Sequence, residues 1–78
     1  MLTYTVVFEP ADEGGYVAIV PTLQGCSSQG ETFEEAKNNV HEAIEGFLLV
    51  LAEHGDDIPQ ESPDRIIGAV SAMAPAML

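Results

Sequence analysis

Basic side chains are nearly missing from this 78-residue chain: Lys37 and Arg65 stand against 13 acidic residues, for a formal net charge of −11 at pH 7. A surface of that sign repels phosphate backbones, so direct binding to nucleic acid is not expected. Cysteine occurs once, at Cys26, which excludes a disulfide within the chain. No cysteine and histidine cluster has the spacing of a zinc site, and no cofactor is implied. No apolar run approaches the ~20 residues that cross a bilayer. The first residues also lack the basic stretch and apolar core of a signal peptide, so a cytoplasmic location away from membranes is expected.

A chain of this length makes one domain. It buries only about 60% of its unfolded surface on folding. With neither disulfide nor metal to add stability, oligomerisation is the expected source of it. The acidity has two readings: it keeps a small protein soluble, or it speeds encounter with a basic protein partner.

Residues 2–9 alternate, with Leu2, Tyr4, Val6 and Phe8 on one face, the period of a half-buried strand. The turn-forming residues 10–15 and the β-rich run 16–20 then make a hairpin. Pro21 lacks the amide that a ladder needs, and Gly25 and Gly30 bracket a short third strand at 26–29. Next comes Thr32-Phe33-Glu34-Glu35. Here the Thr32 hydroxyl is expected to cap the third helical amide while Glu35 reaches back to the amide of Thr32. Phe33, Ala36, Val40, Ala43, Ile44, Phe47, Leu48 and Leu51 recur at helical spacing up to a stop at Gly55, giving a helix ~33 Å long. Its last two turns are apolar nearly all round, so Leu49 and Val50 need a second cover, either the tail or another subunit. Residues 56–64 form a connection and 65–71 a fourth strand, weakened by Gly68.

The resulting class is α+β in the order β-β-β-α-β, a three-stranded antiparallel meander with one long helix and a fourth strand. A single domain spans 1–71, followed by an apolar tail at 72–78. Leu49, Val50, Met73 and Leu78 are the candidates for self-association.

Chemistry is sparse. His41 and His54, 13 positions apart on one helix, point to opposite sides and cannot share an ion. Cys26 lies in or beside a strand rather than at a helix N-terminus, and reads as a small buried thiol rather than a nucleophile. Ser27 and Ser28 lack the glycines of a nucleophile elbow. Glu9, Asp12 and Glu13 cluster at the hairpin turn, where a metal-dependent nuclease site is the functional reading and a solvated turn the plain one. Gly25 and Gly30 make no phosphate loop, because no lysine follows and Glu31 opposes phosphate. No catalytic set is expected.

The run Val20 to Ala36, with Ala43 and Phe47, resembles the signature of the HicB-like antitoxin family. Pro21, Leu23, Gly25, Cys26, Gly30, Thr32, Glu35 and Ala36 fall where that family places its proline, hydrophobe, glycine, small residue, second glycine, helix cap and helix start. The likeness covers about residues 2–59. Thr22 and Gln24 depart from the usual aspartate and proline of the loop. The resemblance implies a domain like a truncated RNase H fold without that enzyme's carboxylates. It also implies a non-enzymatic role: neutralising HicA, a small basic toxin that cleaves messenger RNA and has a double-stranded-RNA-binding fold. Larger members add a DNA-binding domain; the residues after Gly55 contain no basic helix, so operator binding is not carried over. The alternative is an oligomeric scaffold or small-ligand module without a toxin.

Overall fold

The computed structural model describes residues 1–76. Strand β1 (Val7–Pro10), β2 (Tyr16–Ile19) and β3 (Ser27–Gly30) form one antiparallel sheet in the order β1-β2-β3, followed by helix α1 (Phe33–Glu53). The pairs Phe8↔Ala18↔Ser28 and Pro10↔Tyr16↔Gly30 run across the sheet. These rows face α1. The alternate positions Val7, Glu9, Val17 and Ile19 fall on the open face, where Val7 and Ile19 are exposed.

Small side chains on the inner rows let the helix settle close. A Cβ at Gly30 would overlap the backbone nitrogen of Ala36, so glycine alone fits between β3 and the first turn of α1. Ala18, Val20, Leu23, Cys26 and Val40 form the buried core, and Phe8, Ala43, Ile44, Phe47 and Leu48 pack around it. Phe33 meets Phe8 with ring centroids 4.7 Å apart and Tyr16 edge-on at 6.3 Å, closing the core at the start of the helix.

The helix ends as its sequence requires. The Gly55 N–H donates to Ala52 at 3.1 Å and the Asp56 N–H to Leu51 at 2.9 Å, the paired bonds of a Schellman cap. The acids of its first turn, Glu34 and Glu35, suit the positive end of the dipole. Among the described residues no helix is long and apolar enough to cross a membrane.

Three strand expectations need correction. Residues 2–6 are not in a ladder: the Val20 N–H faces β3 and donates to the Cys26 carbonyl at 3.2 Å, Pro21 after it has no N–H to offer β1, and the Thr5 N–H donates to Glu61. Tyr4 and Val6 still pack against the core. The third strand begins one residue later than expected, at Ser27, since the Cys26 amide is used in the preceding turn. Residues 65–71 form no fourth strand: they find neither a ladder partner nor a surface for an apolar face, and Ile66, Ile67 and Val70 are exposed.

The connection before them is tied down. The Tyr4 hydroxyl donates to the Pro59 carbonyl, and the Thr5 N–H donates to the Glu61 carboxylate at 2.7 Å. Arg65 reaches the same carboxyl group at 3.1 Å and donates to the Thr22 hydroxyl at 3.1 Å.

Candidate protein-interaction surfaces

The segment from Pro21 to Glu35 shapes the domain by closing a loop and starting a helix. The Leu23 N–H donates to the Val20 carbonyl at 3.1 Å, and the Cys26 N–H to the Leu23 carbonyl at 2.9 Å. Gly25, third in the second turn with φ of 90°, holds a backbone conformation that side chains strain against. The two turns, begun at Pro21, fold Leu23 inward until it is fully buried. Cys26 is buried beneath the same loop, and desolvation pushes its thiol above the ordinary value, away from the reactive thiolate. Serines 27 and 28 are β3 residues.

Thr32 caps the helix as expected, its hydroxyl accepting from the Glu35 N–H at 3.1 Å. The return bond differs. The Glu35 carboxylate accepts from the N–H of Glu31, at 3.1 Å, and not from that of Thr32. Thr32 has an extended backbone, and the carboxylate reaches past it to the preceding residue. The junction between β3 and α1 is fastened further by Asn39, whose side-chain amide donates to the Gln29 carbonyl at 2.7 Å.

The register joins two acidic groups that are far apart in sequence. Because Pro10, Tyr16 and Gly30 share one row, the β1–β2 turn and the β3–α1 junction lie at the same end of the sheet. A concavity of about 720 Å³ opens there, with Asp12 and Glu13 on one side and Glu31 and Glu35 on the other. Tyr16, Gln29 and Asn39 line it too, and no lysine or arginine does. Sequence reasoning treated the two acidic groups separately; the antiparallel order of the strands was the signal that unites them.

Glu9, Asp12 and Glu13 are not gathered as ligands, and among the described residues no three histidine, cysteine or acidic side chains form a set able to hold a metal ion. His41 lies 3.7 Å from Glu45 on the exposed face of α1, while His54 is the helix C-cap. Leu49 and Val50, which the helix pattern expects to need a second cover, are exposed. Met73 is exposed as well and does not supply that cover, and Leu78 lies outside the described residues.

The loop at Pro21, Gly25 and Cys26, with Gly30 and the threonine-capped helix that follows, lies inside a span that a family model matches. The family model described as HicB_like antitoxin of bacterial toxin-antitoxin system matches residues 4–73. The chain belongs to this family. It is 44% identical over 70 residues to a UPF0150 protein of Synechocystis sp., covering 90% of this chain and 86% of that one. It is 38% identical over 65 residues to a UPF0150 protein of Thermoplasma acidophilum, covering 83% and 94% respectively. A 14.9 kDa protein of Haemophilus phage HP1 is 34% identical over 62 residues, which are 80% of this chain and 46% of that longer one. In this HicB-like chain the matched span takes in the closed loop, the acidic concavity and most of the C-terminal arm, residues 65–76.

Proposed function

We propose that this protein is a non-enzymatic antitoxin that binds and neutralises a small basic, messenger-RNA-cleaving toxin of the HicA type in the cytoplasm. Family membership supports a toxin–antitoxin role. The observation that carries the finer reading is the concavity lined by Asp12, Glu13, Glu31 and Glu35, on a chain of net charge −11. A ribonuclease that grips RNA presents lysines and arginines. Carboxylates carried on a hydrogen-bonded hairpin turn and a helix start can meet those cations, and the surrounding field speeds the encounter. Occupying the cationic surface with protein carboxylates excludes the phosphates of the substrate.

The observed β-β-β-α order supports the further reading of the domain as a truncated RNase H arrangement, with residues 65–71 as the fourth strand once they have a partner. The test is co-purification with, and inhibition of, any small basic ribonuclease encoded beside this gene. Near-stoichiometric inhibition is expected. A protein that self-associates but neither binds nor inhibits any such ribonuclease is instead an oligomeric scaffold.

A further inference from the structure

The single chain has more surface than its mass warrants. A compact monomer of 8.3 kDa exposes roughly 4,600 Å² by the usual scaling, whereas this chain exposes 6427 Å². Its radius of gyration is 15.8 Å, against about 11.5 Å for a compact domain of this length. Much of the excess lies in one place. In residues 66–73 the apolar side chains Ile66, Ile67, Val70 and Met73 are 91%, 74%, 94% and 97% exposed. A soluble monomer rarely leaves so continuous an apolar stretch uncovered.

The same chain carries an open acceptor. A groove of about 580 Å³ runs between residues 1–8 and α1, its apolar floor made by Leu2, Tyr4, Val6, Val40, Ile44 and Leu48. Along its rim, residues 2–6 have the alternation of a strand but lie outside the ladder. Apart from the Thr5 N–H, which the Glu61 carboxylate takes, their backbone is open to an added strand. Two segments patterned as strands, each without its ladder, thus face the same need.

We propose that these segments satisfy each other between two copies of this chain, the arm of each copy lying along the groove of the other. Arg65, held by Thr22 and Glu61, fixes the point where the arm leaves the body. Beyond it the arm projects while the groove of its own chain stays open. A two-fold pair covers both arms and both grooves at once, because each copy supplies one of each. The excess of about 1,800 Å² per copy, doubled across a pair, falls within the 2,000–5,000 Å² that obligate homodimers bury. Electrostatics permits the same contact: two copies of charge −11 repel, but residues 66–76 and 1–8 carry no charged side chain, and at the groove Lys37 offsets Glu45. The inference is independent of the toxin reading, since either can fail alone.

The decisive experiment mixes two single-cysteine chains in a Cys26→Ala background, one bearing Val70→Cys and the other, isotope-labelled, bearing Leu2→Cys. After co-refolding and mild oxidation a disulfide-linked mixed dimer is expected. Absence of the mixed dimer overturns the proposal, as does closure of a Leu2→Cys/Val70→Cys double variant on itself as a monomer. Light scattering gives the second readout: the wild type is expected at twice 8.3 kDa. Val70→Glu and Met73→Glu, at positions nearly fully exposed in one chain, should leave the circular dichroism unchanged and raise the dimer dissociation constant at least about tenfold each. A wild-type monomer, or a dimer indifferent to both substitutions, contradicts arm exchange.

Discussion

Residues 7–56 and residues 65–76 both carry apolar side chains, the second more densely, and the two have opposite fates. In the first region the main apolar faces meet, although Val7, Ile19, Leu49 and Val50 stay exposed: the inner rows of the sheet meet α1, Leu23 fills its own loop, and both helix ends are capped. In the second, Ile66, Val70 and Met73 are nearly fully exposed, and Ile67 only edges a hollow beside Thr3, Tyr4 and Thr5. The difference lies in local closure. The first region has turn glycines, a capping threonine and short connections that return each element to its neighbour, whereas the second leaves its last anchor at Arg65 and has no turn to bring it back. A small chain with limited burial can fold its body alone and leave part of its apolar surface for a second molecule.

The contrast can be broken most forcefully in the body. Leu23→Ala empties the centre of the closed loop and should cost about 3 kcal/mol in denaturant unfolding, within the range for buried leucines. Gly30→Ala should cost about 2 kcal/mol or more by the same measurement, because its methyl group would overlap the Ala36 backbone and force α1 off the sheet. Thr32→Ala removes one cap and should cost about 1 kcal/mol, with fraying at the helix start seen by amide exchange.

At the boundary between the regions the handle is pH. The Thr5 N–H bond, helped by the Thr22 and Arg65 contacts, holds the Glu61 carboxyl below its ordinary value. A carboxyl group lowered on folding contributes stability that is fully present above its ordinary value, about 4.3, and is lost as pH falls through the lowered one. The Thr5 amide resonance should therefore titrate below the ordinary glutamate range, and Glu61→Gln should abolish that step. The smallest effect is expected on the arm. In solutions dilute enough to dissociate any dimer, Ile66→Ser should change unfolding free energy by less than about 0.5 kcal/mol.

Much of the body was legible because its signals are local. The threonine cap, the helical spacing from Phe33 to Leu51 and the Gly55 stop each act within a few residues, and α1 forms between them. The meander order was legible from short turns. Residues 2–6 and 65–71 were not, since strand pattern states what a segment can do and a ladder requires a partner that pattern alone does not locate. The Glu35 bond went to Glu31 because a flexible carboxylate chooses between adjacent amides by geometry. The acidic concavity was missed for a related reason: Asp12 and Glu31 become neighbours across the sheet end only through the register.

Inhibition of a small basic ribonuclease captured from the native host, by wild type and by an Asp12→Lys/Glu13→Lys/Glu31→Lys variant, tests the functional claim most directly. These carboxylates lie at the concavity and outside the core, so the fold should survive their reversal. The predicted result is tight inhibition by wild type that weakens with salt, and a loss of at least about 100-fold in the triple variant, equivalent to roughly 2.7 kcal/mol. Equal inhibition by wild type and the triple variant would contradict the assignment of toxin binding to this acidic surface.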